Sequence, residues 1–190
     1  MAGPLAASRR RGDALDIWEV ASLSRDEVRT ARVLTWLLDP HGSHGAGDAY
    51  LQALWAELEG ERILNFALEG PQRTLRENYP LGDLQNRVDV EAIGANFLLF
   101  IEVKIDAAEG VDQVARYADL AAKKAAILRR PNWAVLYLSQ RAPEQQSERC
   151  LHLRWRTVAQ AIRSASKAMD ANDFSTRLAL GFARHVSQLH

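Results

Sequence analysis

Nine residues constrain this chain more than any others: Phe97-Leu98-Leu99-Phe100-Ile101-Glu102-Val103-Lys104-Ile105. The run is apolar on both faces before its charges begin, which predicts a strand at the centre of a covered sheet. Upstream, Arg87-Val88-Asp89-Val90-Glu91-Ala92-Ile93 alternates with period two. Gly94-Ala95-Asn96 between the two runs is a turn signal, so the pair is expected to form a hairpin. Side chains two apart on a strand leave the same face. Glu102 and Lys104 therefore project together, at the end of a stripe begun by Leu98 and Phe100.

The remaining elements follow from their periods. Helical spacing of Ala31, Leu34 and Leu38, widened by Trp36 and Leu37, predicts a helix from Ser24 to the stop at Asp39-Pro40. A second helix is expected from Asp48 to Gly60, followed by a short apolar stretch, Ile63 to Leu68. An extended segment at 72–79 precedes the hairpin. An alanine-rich helix is expected from Glu109 to Leu128, with Val114, Ala118, Ala121 and Ala125 along one side. Trp133–Ser139 and 150–154 read as strands. Helices at 156–168 and 173–188 end the chain, the latter with Phe174, Leu178, Phe182, Val186 and Leu189 inward. A mixed sheet flanked by helices is the simplest packing of this order.

A chain of 190 residues forms one domain and buries roughly 70% of its unfolded surface. Residues 13–190 are expected to be that domain, and 1–12 a flexible basic N-terminus. Arg9, Arg10 and Arg11 precede no apolar h-region, so no signal peptide is read. No apolar run approaches the ~20 residues of a membrane span. The single cysteine, Cys150, excludes an internal disulfide framework and fits a reducing, cytoplasmic setting.

The formal net charge is zero, from 24 basic and 24 acidic side chains, which argues against a uniformly basic nucleic-acid binder. The charges are unevenly placed. Residues 1–122 carry a net −8 and residues 123–163 a net +7. An acidic half beside a basic segment suits a protein that holds a cation in one place and a polyanion in another. A mixed solvated surface is the plainer alternative.

Asp89 stands in the Val88–Val90 frame across the hairpin, and with a suitable register it would meet Glu102. Two adjacent carboxylates resist joint ionisation, and a divalent cation removes that repulsion; oxygen ligands suit Mg²⁺ or Mn²⁺. A lysine beside them is a compact charge whose pKa can fall on burial. The same residue types also allow a plain Glu102–Lys104 ion pair at a strand end.

Val88-Asp89, a turn, Ile101-Glu102-Val103-Lys104, and then a helix bearing Gln113-x-x-x-Tyr117 resemble the PD-(D/E)XK nuclease superfamily. Gln113 and Tyr117 resemble the QxxxY motif of its RecB-like members. The stretch Arg32-Val33-Leu34-Thr35-Trp36-Leu37-Leu38-Asp39-Pro40-His41-Gly42-Ser43-His44-Gly45 resembles a bacterial and phage branch of it. Val88 stands where the motif name has proline. The resemblance implies an α/β, restriction-endonuclease-like fold with an αβββαβ core, a mixed central sheet and extra C-terminal helices. It implies Mg²⁺-dependent phosphodiester hydrolysis, with Mn²⁺ able to substitute, leaving a 5′-phosphate. Asp89, Glu102 and the Val103 carbonyl would be metal ligands, and Lys104 would orient or help deprotonate the attacking water. Gln113 would join the catalytic set, with Tyr117 bracing it; Tyr117, His44 and Arg32 would touch substrate.

Three questions stay open at this level. Glu27 is either the reciprocal partner of a Ser24 capping box or an extra metal ligand, as a first-helix glutamate is in many superfamily members. The fold could also serve as a catalytically inactive nucleic-acid-binding or assembly module. His41, His44, Cys150 and His152 together would form a zinc set, on loose spacing. The expected partner is nucleic acid, DNA above all, contacted through the basic segment 123–163; Trp133 and Trp155 are read as core. Cutting both strands would favour a homodimer.

Overall fold

A computed structural model describes residues 12, 15–59, 64–81, 87–107, 110, 112–144 and 148–189; the basic stretch 1–11 lies outside them. In chain order the elements are α1 (Ile17–Val20), α2 (Glu27–Leu38), α3 (Ala49–Glu59), β1 (Arg73–Asn78), β2 (Val88–Ile93) and β3 (Phe97–Val103). They continue with α4 (Gln113–Ile127), β4 (Asn132–Leu138), β5 (Cys150–Leu153), α5 (Trp155–Ser166) and α6 (Phe174–Val186). The five strands lie in the order β1-β2-β3-β4-β5. β1, β2 and β3 are antiparallel neighbours, and β3, β4 and β5 are parallel ones. This is the mixed, helix-flanked α/β sheet of a restriction-endonuclease-like fold, with α5 and α6 as the additional C-terminal helices.

Every residue of β3 is buried, as a central strand requires. Its alternate side chains feed two cores. Phe97, Leu99, Ile101 and Val103 join the larger one, with Leu34 and Leu37 of α2, Leu51 and Leu54 of α3, Val158 of α5 and Phe182 of α6. Leu98 and Phe100 join the smaller one under α4, with Tyr117, Leu120 and Ala121. Small residues on the inner side of α4 (Ala121 and Ala125, both buried) bring that helix close to the sheet. Glu91 of β2 points into this face, fully buried, and is held by Lys124 Nζ at 2.7 and 2.8 Å.

The β2–β3 turn is packed against its own strand. A Cβ on Gly94 would lie 2.0 Å from the ring of Phe97, which is fully buried and has nowhere to move. Gly94→Ala is therefore expected to cost about 1–3 kcal/mol, the usual range for overpacking. Urea unfolding should show the midpoint falling with an unchanged m-value. Asn96 ties the 64–69 segment to the same turn, donating to the Ala67 carbonyl and accepting from the Glu69 amide. That segment is neither helix nor strand; Trp55 donates to its Phe66 carbonyl at 2.9 Å.

Several elements differ from expectation. A short helix, α1, precedes the predicted first one; four residues are too few to show a period. It is capped by Asp16, which accepts from the amides of Trp18 and Glu19. α2 begins at Glu27, capped by Asp26 rather than Ser24. β3 ends at Val103 rather than Ile105, and α4 starts at Gln113; the predicted start, Glu109, lies outside the described residues. On α4, Tyr117 and Leu120 are buried while Ala118 is only half-buried. On α6, Phe174 is 75% exposed, and the buried side is Thr176, Ala179, Phe182, Ala183 and Val186. The reason is helical drift. Each step of four residues overshoots a turn by about 40° at 3.6 residues per turn. A 174-178-182-186 row therefore winds around the helix, and only its end reaches the core. Among the described residues, no helix is long and apolar enough to cross a membrane.

Candidate active site

The site forms where the β2–β3 pairing stops. Paired residues run from Ile93↔Leu98 to Val90↔Ile101, and continuing that register sets Asp89 opposite Glu102, both facing α4. Beyond the last pair, Asp89 Oδ2 accepts the Val103 N–H at 2.9 Å, so a side chain replaces the ladder acceptor. Glu102 is 3% exposed. Its Oε1 accepts from Lys104 Nζ at 2.9 Å and from Gln113 Nε2 at 2.5 Å. Its Oε2 is buried and has no hydrogen-bond partner.

Each neighbour is itself held. Lys104 donates its amide to the Leu138 carbonyl at 2.8 Å, and its carbonyl accepts the Trp155 indole N–H at 3.1 Å. Gln113 opens α4 after Asp112, whose φ of 51° turns the chain sharply into the helix. Its Oε1 accepts the Gly110 amide at 3.1 Å, which orients its Nε2 toward Glu102. Tyr117, one turn on, donates to the Arg87 carbonyl at 2.7 Å and accepts from Gln113 Nε2 at 3.3 Å. Together Glu27, Asp89, Glu102, Lys104, Gln113 and Tyr117 line a cavity of about 270 Å³.

Burial pushes the Glu102 carboxyl up to about 7, and the adjacent Asp89 pushes the same way; Lys104 only partly opposes them. Asp89 is also raised by burial, against the Val103 amide and the positive charges of Lys104 and Arg87. Burial disfavours the Lys104 cation, but Glu102, with Glu27 and Asp89 behind it, outweighs that and the net shift is upward. A lysine's pKa can fall on burial, but here the neighbouring carboxylates keep Lys104 a cation. Tyr117 is pushed up to about 12, by burial and then by the charge of Glu102.

This donor set suits a hard divalent cation. Two desolvated carboxylates share a face, and one buried oxygen, Glu102 Oε2, lacks any donor. Among the described residues, no group of three or more His, Cys, Asp or Glu is placed to hold a metal ion.

Glu27 lines the cavity but does not take the capping-box role. Its Oε1 accepts three consecutive amides, Ile105, Asp106 and Ala107, at 2.9, 3.1 and 3.0 Å. It shapes the loop after Lys104 rather than capping its own helix, and that oxygen is fully occupied. The histidine-rich turn lies past the far end of α2 and does not line the cavity. His44 is buried between Trp36 and Tyr50. Its Nδ1 accepts the Ala46 amide, and its Nε2 lies 3.0 Å from the Asp39 carbonyl. Gly42 makes room for it: a Cβ there would lie 2.5 Å from His44 Nε2. Both ring nitrogens are engaged, so neither the substrate contact nor the zinc set drawn from the sequence fits His44. His152, in that same set, lies instead on β5, 3.3 Å from the Ser139 carbonyl. Arg32 is exposed on α2, outside the lining residues. Trp155 is core, as read, but its hold on Lys104, 51 positions away, leaves no mark in the sequence.

The chain matches no curated protein and no solved structure. A family model described as the PD-(D/E)XK nuclease superfamily matches residues 15–180, a span running from before α1 into α6 and containing the whole sheet, both hairpin carboxylates and the Gln113 helix. With that match over most of its length, on this sheet and around this site, the chain belongs to the PD-(D/E)XK nuclease superfamily.

Proposed function

We propose that the protein is a divalent-cation-dependent deoxyribonuclease that hydrolyses phosphodiester bonds at the Asp89–Glu102–Lys104 site. The observation that carries this reading is the buried, partnerless Glu102 Oε2 beside a second desolvated carboxylate. A carboxylate is rarely left this way without a cation to receive it. Asp89 and Glu102 would hold Mg²⁺ or Mn²⁺, with the Val103 carbonyl as a further ligand. Glu27, with one oxygen committed to three amides, is assigned to positioning.

A bound divalent cation supplies Lewis acidity and neutralises charge at the scissile phosphate. The chain's own residues do the rest. Lys104 presents a fixed ammonium to a phosphoryl oxygen, where developing negative charge is stabilised. Gln113 and Lys104 together set the plane of the Glu102 carboxylate. Tyr117 keeps Gln113 in register. Trp155 and Leu138 hold the Lys104 backbone, so the ammonium needs no reorganisation.

A cleavage panel on several nucleic acids in Mg²⁺ and Mn²⁺ tests this, with Asp89→Asn as the control that must lose cleavage. The same variant has a stability signature. Glu102 has a folded pKa near 7 against 4.5 when unperturbed, so its ionised form is penalised in the fold. That penalty is full above pH ~7 and vanishes below pH ~4.5. Burial, the larger cause, remains, but removing the Asp89 charge relieves the share that Asp89 adds. In EDTA, Asp89→Asn should melt higher than wild type at pH 8, and the gap should close as the pH falls toward 4.5. Wild-type cleavage by the Asn variant would refute the assigned role of Asp89. Intact metal binding with no cleavage of any substrate would favour the inactive-module reading.

A further inference from the structure

The basic segment 123–163 does not form one surface. Lys123 pairs with Asp119 on the outer side of α4, and the half-buried Lys124 pairs with the buried Glu91. Arg130 reaches Gln72, and Arg149 lies over the Trp133 ring at 5.1 Å. Arg129 follows the end of α4; the other members, joined by Lys167, lie toward α5, which covers the opposite face of the sheet. Arg141, Arg154, Arg156, Arg163 and Lys167 are all exposed. Among the described residues, none of the five is paired with an acid.

These five follow a chain of grooves that begins at the active site. The cavity of about 270 Å³ shares Lys104 with a second of about 550 Å³. The second shares Gln140 and Arg141 with a third, which adds Arg154 and Arg156. The third shares Arg156 with a fourth, which adds Gln160, Arg163 and Lys167. On α5, positions 156, 160, 163 and 167 are spaced four, three and four apart, so they form one stripe. It is about 16 Å long at 1.5 Å per residue. Residues 149–169 contain five Lys or Arg and no Asp or Glu. Two carboxylates, Asp106 and Glu144, stand on the second cavity's wall, and Asp106 is bound through both oxygens by Arg25 at 2.7–3.0 Å.

We infer that this stripe is the path of a DNA duplex running from the active site along α5, gripped through its phosphates and not through its bases. The inference rests on the nuclease reading and adds the class of substrate to it. A run of cations with no acidic partner on one helix face is the footprint of a phosphate backbone; Arg163 among them also donates to the Ala183 carbonyl and the Ser187 hydroxyl. About 16 Å corresponds to roughly five base-pair steps at 3.4 Å each. Single-strand grooves add open aromatic rings on which bases stack. Here the aromatic side chains on the walls, Tyr137 and Trp155, are 3% and 1% exposed. No ring face is offered, so binding should be independent of sequence and should favour the duplex.

The test is fluorescence anisotropy in EDTA, which prevents cutting, with a short blunt DNA duplex and one of its strands. The probes are titrated against the full chain at several salt concentrations. The variant R156Q/R163Q/K167Q changes exposed positions only, and its melting temperature verifies the fold. It should bind the duplex about ten-fold or more weaker, with a salt slope shallower by about 2.7, the share of three phosphate contacts. K123Q/R129Q, drawn from the same basic segment but placed on and just after α4, should bind as wild type does. An unchanged slope in the triple variant, tighter binding of the single strand, or no binding by wild type would each overturn the path. If the triple variant binds normally while wild type cuts DNA, the path fails and the nuclease reading stands. If the path is confirmed and wild type cuts nothing in Mg²⁺ or Mn²⁺, the nuclease reading fails instead.

Discussion

Lys104→Ala should slow cleavage by about 10²–10³-fold, the cost of removing one preorganised charge from a reacting oxyanion, while leaving the fold intact. Both halves of that expectation come from the surroundings of Lys104. Its backbone is anchored by the Leu138 carbonyl and the Trp155 indole, neither of which depends on the side chain, so truncation leaves the strand end in place. The ammonium, by contrast, is the main positive charge holding Glu102 ionised against burial and Asp89. Without it the Glu102 carboxyl rises further, and a divalent cation must then compete with a proton. The variant should therefore need more metal and a higher pH to reach its own maximum. Lys104→Arg keeps the charge but offers a planar fork in place of a point donor, and should fall between wild type and alanine. Rates at saturating Mn²⁺ across a pH series, with melting temperatures alongside, check each part. A wild-type rate in Lys104→Ala would remove the residue from the reaction.

The largest stability effect is expected far from the chemistry. Glu91 is completely buried under α4, and Lys124 is its cation at 2.7 and 2.8 Å. Lys124→Met should cost about 3–5 kcal/mol, because it removes the ammonium that meets both oxygens of a fully buried carboxylate. The double variant Glu91→Leu with Lys124→Met should recover most of that loss, since an apolar pair of similar volume removes the desolvation penalty along with the attraction. Urea unfolding of the two variants measures the difference. A single variant within about 1 kcal/mol of wild type would show that the pair contributes no more than an exposed one. Cleavage by the double variant should persist, because neither residue lines the cavity that holds Asp89, Glu102 and Lys104.

These two pairs differ in how readable they were. Glu102 and Lys104 are two apart on one strand, so strand geometry alone puts them on one face. The turn signal at Gly94-Ala95-Asn96 then places Asp89 across from them once the register is set. Gln113 and Tyr117 are one helical turn apart and share a side for the same kind of reason. Glu91 and Lys124, separated by 33 positions, are joined only because α4 settles on the sheet at one angle and depth. The same holds for Glu27 and the amides of 105–107, and for Trp155 and the Lys104 carbonyl.

Where a local period was short or misleading, the reading failed. Four residues of α1 carry no period. The Ser24–Glu27 spacing fits a capping box, yet Asp26 takes the cap and Glu27 finds better donors in another loop. The apolar row through Phe174 suggests an inward face, but a spacing of four drifts around the helix and leaves Phe174 75% exposed. The histidine-rich turn looked like a substrate loop because polar residues beside glycines are compatible with either exposure or burial. Only packing between Trp36 and Tyr50 distinguishes them for His44.

The amino-acid sequence by itself determined the strands, the order of the elements after α1 and the common face of Glu102 and Lys104. Each of these follows from the repeat distance of a strand or a helix, and a repeat distance is a property of neighbouring residues. Tertiary structure alone decided that Glu102 keeps one oxygen without a donor, that Lys104 is a firm cation, and that nine basic residues of one segment divide between two faces. Those depend on which distant groups the packing brings within a few ångströms, and the electrostatics of a buried group are set at that range.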